Sequence, residues 1–193
     1  MAVLLDRRHV LSMNYIYELT FYREQKDFVG KILGGWQASG IISYFTGLPL
    51  TVTSSSYDPG GLGFIPAAIA GGRPNLLCDP NANAPHTITQ WFNTACFSPQ
   101  TPAGATGIVN LPGNAPRGAV DGPPTARVDF TMTKNLRFSE SVSVQLRAEA
   151  FNVFNHTNFR GLSLSRALTT TNFGQVISFR DPRIMQFGAK VIF

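Results

Sequence analysis

Apolar and polar residues alternate with a period of two along several stretches of the chain. In HVLSMNYIYELTF, every odd-numbered residue from Leu11 to Phe21 is apolar or aromatic, whereas most even-numbered ones are polar. Successive side chains of a β-strand point to opposite faces, so this pattern is typical of a strand with one apolar face. The pattern recurs and predicts five long strands, over about residues 9–21, 36–52, 126–138, 142–154 and 183–193.

The third and fourth predicted strands are joined by a turn at residues 139–141. An antiparallel hairpin centred on Glu140 pairs even-numbered residues with even-numbered ones, so the apolar sides of both strands come together. Lys134 interrupts this apolar side near the end of its strand, and we expect its long side chain to extend to an interface. A short helical turn is predicted over residues 27–33, between the first two strands.

The connections between strands alternate between shorter and long, with the long ones at about residues 53–125 and 155–182. Strands of this length exceed the usual mode of about 5–6 residues but suit a bilayer, which tilted strands cross in about 9–11. Transmembrane barrels combine such strands with short periplasmic turns and longer extracellular loops. We therefore predict an all-β fold: a curved, open antiparallel meander of about five strands, a partial transmembrane β-barrel, with two long extracellular loops. The alternative is a soluble or surface-attached all-β binding or adhesion module that buries its apolar faces in a sandwich.

The composition favours the membrane interpretation. Charged residues make up only 14% of the chain and aromatic residues 11%, including 15 Phe, whereas an average soluble domain has about 25% charged residues. No apolar stretch is long enough for a membrane-spanning helix. The net charge of +5 comes from Lys and Arg residues spread singly along the sequence, so we expect no nucleic-acid partner.

No group of residues suggests catalysis, and we expect neither an enzyme nor a cofactor. The three histidines lie far apart, with no nucleophile and base at a recognisable spacing; they are His9, His86 and His156. The segment CDPNAN offers oxygen atoms at alternating positions, but it lacks the glycine and the distal Glu of a calcium loop; these positions are Asp79, Asn81 and Asn83. The glycines of GGLG, at residues 60–63, are interpreted as loop residues, because no Lys-Ser or Lys-Thr pair follows them.

Three further groups of residues are interpreted as structural features. Cys78 and Cys96 share one Pro/Gly/Asn-rich stretch, and we expect a disulfide that closes a loop. Beside Cys96, an aromatic group is interpreted as an anchor of the long loop against neighbouring loops, with a ligand-binding lip as the alternative; it comprises Trp91, Phe92 and Phe97. Charges on the polar strand faces are interpreted as a hydrated, mutually compensating set, although they could line a substrate path; they are Asp129, Arg147 and Glu149.

Five stretches occur in order from Asp6 to Phe193 and together carry a family resemblance: DRRHVLSMNYIYEL, GGWQASGIISYFTGLPLTV, WFNTACF, QLRAEAFNVFNHTNF and RIMQFGAKVIF. They resemble the C-terminal end of outer-membrane TonB-dependent receptors, in the branch with an N-terminal carboxypeptidase-regulatory-like domain. The resemblance implies the outer membrane of a Gram-negative-type bacterium and a barrel that serves energised ligand uptake. The implied partners are outer-membrane lipid, the other strands and plug of a parent barrel, the barrel-assembly machinery, and TonB only through that plug.

The resemblance also gives the last strand a role. Apolar residues at alternating positions before a terminal Phe look like the signal that the barrel-assembly machinery reads; here they are Phe187, Ala189, Val191 and Phe193. The same residues are equally expected on the lipid face of an end strand, and both roles can hold together. The family has a signal peptide, a plug and about 22 strands. Since five strands leave two edges that lipid cannot satisfy, we expect the tail of a longer receptor.

Overall fold

The computed structural model describes residues 6–22, 24–54, 72–99, 113–139, 141–160, 164–168 and 170–193. The chain divides into two compact units. One, the wall unit, comprises His9–Phe45, Thr125–Asn158 and Arg180–Phe193. The other, the loop unit, comprises Met1–Arg8, Thr46–Pro124 and Phe159–Phe179. The GGLG segment at residues 60–63 lies outside the described residues.

The wall unit is a single antiparallel sheet of five strands. Their bounds are β1 Val10–Glu18, β2 Trp36–Phe45, β7 Thr125–Arg137, β8 Ser143–Phe151 and β9 Ile184–Ile192, and four shorter strands of the loop unit take the numbers between. The spatial order is β1-β2-β7-β8-β9, so β1 and β9 are the edges, and the described residues supply neither with a second partner. This is the all-β, open antiparallel meander that the alternation predicts.

The register brings the apolar sides of neighbouring strands together. In the β7–β8 hairpin, Phe130 pairs with Ala150 and Leu136 with Val144, which is the predicted register centred on Glu140. The flanking pairs follow the same rule, since Ala148 faces Phe187 on β9. A shift of one residue would turn every apolar side chain to the polar face, so the pattern fixes the register strongly.

The predicted second strand over 36–52 is too long. β2 ends at Phe45, which pairs with Thr125. The two residues before Thr125 are Pro123 and Pro124, and proline cannot donate a hydrogen bond to a neighbouring strand. The chain therefore leaves the sheet, and the next strand, β3 Pro49–Leu50, pairs instead with β6 Val120–Asp121.

Other strands are also shorter than the predicted ranges. β1 ends at Glu18 rather than 21, and β9 begins at Ile184. β8 ends at Phe151 rather than 154, because Asn152 adopts a positive φ of 53°. The Asn152 side-chain oxygen accepts a hydrogen bond from the His156 backbone N–H at 3.0 Å. This local turn replaces the last residues of the predicted strand.

The predicted helical turn over 27–33 is confirmed as the helix α1, Phe28–Leu33. Its end is closed by the Gly34 backbone N–H, which donates to the Gly30 carbonyl. In the part of the chain that the structure describes, no helix has the length and apolar character needed to cross a membrane.

The loop unit has a hydrophobic core of its own. β3 pairs with β6, and β4 Asn75–Leu76 pairs with β5 Phe97–Ser98. Its two long segments, Thr46–Pro124 and Phe159–Phe179, both contribute to the core. Thr53 of the first forms a parallel bridge with Ala167 of the second. The buried core residues are Leu50, Val52, Trp91, Phe92, Cys96, Phe97, Ala115, Val120, Leu164 and Val176. The two segments predicted as separate long loops thus fold as one body.

Candidate functional site

One face of the wall unit, named the apolar face, presents large hydrophobic side chains without protein cover. Phe187 is 73% exposed and Leu11 is 53% exposed. Exposed apolar patches of this extent mark a surface that contacts another apolar phase. By register and alternation, the face includes Leu11, Met13, Tyr15, Tyr17, Ala38, Ile42, Val128, Phe130, Met132, Leu146, Ala148, Phe187, Ala189 and Val191.

A groove of about 480 Å³ runs across this face. Its lining includes Trp36, Met132, Leu146, Ala148 and Phe187. It exists because Ala148, on β8, is directly flanked by the larger Met132 on β7 and Phe187 on β9. The shape and chemistry suit a hydrocarbon chain.

Charges on the opposite face form pairs along single strands. On β8, Arg147 Nη1 lies 3.4 Å from Glu149 Oε1. On β7, Asp129 Oδ1 is 2.7 Å from Arg127 Nε, and the same oxygen accepts from the Asn152 backbone N–H at 2.9 Å. Arg147 and Glu149 therefore compensate each other as the sequence indicated, whereas Asp129 pairs with Arg127, which lies outside the predicted set.

The Lys134 side chain reaches the end of α1 rather than solvent. Lys134 is only 5% exposed. Its Nζ donates to the carbonyl of Ile32 at 2.9 Å and to the carbonyl of Gly34. It also lies 5.1 Å from the centroid of the Trp36 ring, within cation–π range. The last carbonyls of a helix have no partners within the helix, and those at the end of α1 capture the ammonium group.

Gln25 completes the β7 ladder beyond the end of β2. Its Nε2 donates to the Asn135 carbonyl at 2.7 Å, and its Oε1 accepts from the Arg137 backbone N–H at 3.1 Å. One side-chain amide thus takes the place of a peptide group on a neighbouring strand. Gln25 is 6% exposed, and pattern analysis missed it because a single polar residue in a connection carries no periodic signal.

The assembly-signal candidates lie at one edge of the sheet. Phe187, Ala189 and Val191 belong to β9, and Phe193 follows its end. The β8 partners of these three strand residues are apolar; they are Ala148, Leu146 and Val144. Among the described residues, β9 is therefore an edge strand with apolar residues at alternate positions, and its recognition by assembly machinery stays a prediction.

In the loop unit, the aromatic residues near Cys96 anchor one chain segment to the other. The ring centroids of Trp91 and Phe159 are 5.5 Å apart, and those of Phe92 and Phe173 are 5.3 Å apart. Both contacts are edge-on, which is the favourable geometry for such pairs. Trp91 also donates its indole N–H to the Asp121 carbonyl at 3.0 Å. These contacts match the interpretation as anchors.

Cys78 and Cys96 are joined as a disulfide, with their Cα atoms 4.9 Å apart. The CDPNAN segment beside it serves the fold. Asp79 Oδ1 accepts from the Asn81 backbone N–H at 2.9 Å, and Asn81 Oδ1 accepts from the Asp121 backbone N–H at 2.8 Å. Asn83 occupies a positive φ of 52°. The side-chain oxygens of Asp79 and Asn81, two of the three positions in the incomplete calcium-like pattern, therefore accept backbone hydrogen bonds within the loop unit.

The histidines do not come together as a site. His86 packs edge-on against Trp91 with centroids 5.0 Å apart, whereas His156 Nδ1 lies 3.3 Å from Asn158 Oδ1. His9 precedes β1. Across the described ranges, no cluster of three or more His, Cys, Asp or Glu side chains is placed to hold a metal ion.

Comparison with known proteins identifies the family. A family model described as an outer membrane beta barrel domain matches residues 3–186. Searches of curated proteins and of solved structures find no significant match. The match covers most of the chain and agrees with the open antiparallel sheet and its exposed apolar face. The chain therefore belongs to the outer membrane beta barrel domain family, and it is a partial barrel that resides in the cell outer membrane in contact with its lipid.

Proposed function

We propose that this chain is the C-terminal wall and rim of an outer-membrane TonB-dependent receptor that takes up a ligand. The observation that carries the proposal is that one chain contains both an open five-stranded wall and a folded loop unit. The family alone supports an outer membrane barrel. The support for ligand uptake is the resemblance of the five ordered stretches to TonB-dependent receptors.

The open edges support a larger barrel. Backbone groups along an unpaired strand cannot be satisfied by hydrocarbon, so only closed barrels cross membranes with strands. In the part of the chain that the structure describes, β1 and β9 each present such an edge. Further strands of a parent barrel would pair with them, and a plug in the same parent would provide the contact with TonB.

The loop unit supports a role in ligand capture. Its two long segments, Thr46–Pro124 and Phe159–Phe179, lie between β2 and β7 and between β8 and β9. Both connections are at the same end of the sheet, where Phe45 pairs with Thr125 and Phe151 with Ile184. By the usual barrel arrangement, this long-loop end faces outside. A core and a disulfide hold the unit in one conformation, and a preorganised surface binds with a smaller entropic cost. The chain would supply structure and recognition rather than catalysis or a cofactor site.

The final strand would direct insertion of the barrel. Phe187, Ala189, Val191 and Phe193 present alternate apolar side chains at the edge and end of β9. We propose that the barrel-assembly machinery recognises them, which is compatible with their later contact with lipid.

The test uses the complete reading frame that contains this chain, including any upstream coding sequence, expressed in a Gram-negative host. Outer membranes are extracted in detergent and compared by gel mobility before and after heating, and the extract is passed over immobilised TonB periplasmic domain. A heat-modifiable barrel retained by TonB is the expected result, with a TonB-box deletion as the matched control.

A heat-modifiable barrel that TonB does not retain would overturn the receptor proposal while leaving the outer-membrane family intact. The surface-attached binding or adhesion module is the second candidate, favoured by the independent core of the loop unit. Its expected signature is binding of external polymers by intact cells, without any dependence on TonB.

A further inference from the structure

The helix α1 leaves its apolar side chains without protein cover. Phe28 is 78% exposed, and Val29, Ile32 and Leu33 are each about half exposed, at 52%, 51% and 50%. Gly30 is the only buried residue of the helix. A helix on a water-facing surface usually turns its apolar stripe toward the protein, so this helix has the opposite arrangement.

Hydrogen bonds place the end of α1 on the apolar side of the sheet. The Ile32 carbonyl accepts from Trp36 Nε1 at 2.9 Å and from Lys134 Nζ at 2.9 Å. Trp36 and Lys134 are directly paired in the β2–β7 register. Lys134 lies two residues from Met132, on the side of β7 that carries the apolar face. Both donors therefore reach α1 from the face that contacts lipid.

The groove of the apolar face continues this surface. Trp36 and Lys134 belong both to the groove lining and to the contacts with α1. Two lysines lie beside these apolar side chains. Lys31 is in the last turn of α1, and Lys26, just before α1, has a side chain that is 79% exposed, with its Nζ 2.6 Å from Glu24 Oε2. Apolar side chains combined with lysines at the polar side are typical of segments that lie in a membrane interface.

The end of the sheet that carries α1 is the short-turn end. α1 lies between β1 and β2, and Trp36 begins β2 at the end where residues 138–142 join β7 to β8. In barrels of this kind, the short turns lie on the periplasmic side. The lipid at this level is the periplasmic leaflet, whose phospholipid chains are the occupant that fits the exposed side chains.

We propose that α1 is an interfacial anchor: Phe28, Val29, Ile32 and Leu33 insert among phospholipid acyl chains of the periplasmic leaflet, beside the groove at Trp36. Lys134 and Trp36 hold the helix in this position through the Ile32 carbonyl. The inference rests on the outer-membrane location and is independent of TonB and of uptake.

The test is photocrosslinking in living cells. The photoreactive amino acid p-benzoylphenylalanine is placed at Phe28 in the complete reading frame that contains this chain. The protein is expressed in the outer membrane of a Gram-negative host, and its adducts are identified by mass spectrometry. An aromatic group replaces an exposed aromatic group, so the substitution leaves the fold intact. Val29 is the second site, and Leu77 of the loop unit, which is 68% exposed, is the matched control.

Phospholipid adducts at Phe28 and Val29, with at least a tenfold lower yield at Leu77, are the expected result. Adducts to a second copy of the chain or to another protein would overturn the proposal, because the apolar side chains would then be covered by protein. Equal lipid labelling at all three sites, or none at Phe28 and Val29, would overturn it as well.

Discussion

Tyr15 lies directly opposite Gly40 in the β1–β2 pair, and its phenol ring covers the space that a side chain at Gly40 would need. A Cβ atom built at Gly40 would lie 2.7 Å from Tyr15 Oη and 2.5 Å from the Asp129 carbonyl oxygen. Glycine is thus required where an aromatic ring crosses the backbone of the next strand.

Substitution of this glycine is expected to destabilise the sheet. For Gly40→Ala, the contact with the Asp129 carbonyl cannot be relieved by a side-chain rotation, and we expect a loss of about 1–3 kcal/mol. Gly188→Ala is the matched control, because a Cβ there meets nothing within 4 Å. The measurement is the denaturant midpoint of the barrel in detergent, and equal midpoints for the two variants would contradict the packing described.

Loss of the Lys134 ammonium is expected to loosen α1. In Lys134→Met, the Gly34 carbonyl loses its donor, while the methionine suits a lipid-facing strand, so the effect is local. A lost hydrogen bond to a charged group amounts to about 1.5–3 kcal/mol, which corresponds to cleavage by trypsin after Lys31 about tenfold faster or more. Lys190→Met, on the exposed strand β9, is the control. An unchanged cleavage rate in Lys134→Met would rule out its role in holding the helix.

The Gln25 amide is expected to protect the end of β7 from exchange. Gln25→Ala leaves the Asn135 carbonyl and the Arg137 N–H without their partner, at a cost of about 1–3 kcal/mol. Gln25→Glu should be equally harmful, because a carboxylate cannot donate to the Asn135 carbonyl. Hydrogen exchange followed by mass spectrometry should show faster exchange at Arg137, with Gln186→Ala on β9 as control. Unaltered protection of Arg137 in Gln25→Ala would contradict the assigned hydrogen bond.

The disulfide is expected to stabilise the loop unit without affecting the wall. Replacement of Cys78 and Cys96 together by alanine releases a loop closed over a sequence separation of 18, which corresponds to about 3 kcal/mol in the chain-entropy account. The intrinsic fluorescence of Trp91, in a Trp36→Phe background, reports unfolding of this unit. Simultaneous loss of the strand signal in circular dichroism would show that the two units do not unfold separately.

The two faces of β7 are expected to differ in their tolerance of charge. Met132→Arg places a guanidinium on the apolar face, and an arginine facing lipid near the bilayer middle costs about 2–4 kcal/mol. Thr131→Arg, one residue away, places the same group opposite Glu149 on the polar face and should change stability by less than about 0.5 kcal/mol. The heat-modifiable fraction in outer membranes measures the stability of both variants. A larger loss in Thr131→Arg than in Met132→Arg would mean that the apolar face does not contact lipid.

The sequence predicts the wall unit well because the patterns that define its strands lie within short stretches of the chain. Alternation over ten residues defines a strand and its faces, and the turn at residues 139–141 then fixes the β7–β8 register. The departures come from contacts that alternation does not encode. Phe151 ends its strand because Asn152 forms a turn, and Lys134 is buried because the end of α1 lies within its reach.

The loop unit was far less accessible to sequence reasoning. Gly- and Pro-rich segments have no periodicity, so nothing in them indicates that Leu50, Phe92 and Leu164 share one core. The local signals are the two cysteines and the aromatic group beside Cys96, and the partners of that group, Phe159 and Phe173, lie on the other segment. Such pairings depend on long-range packing rather than on the pattern of any short stretch.

The parallel bridge between Thr53 and Ala167 has a consequence for the order of folding. A chain that enters the periplasm from its N-terminus delivers Leu50 and Trp91 well before Leu164 and Val176, which belong to the same core. Contacts between distant parts of a sequence form slowly, since the intervening chain must first be closed into a loop. The apolar residues that the first segment contributes to this core therefore remain without their later partners until the second segment arrives.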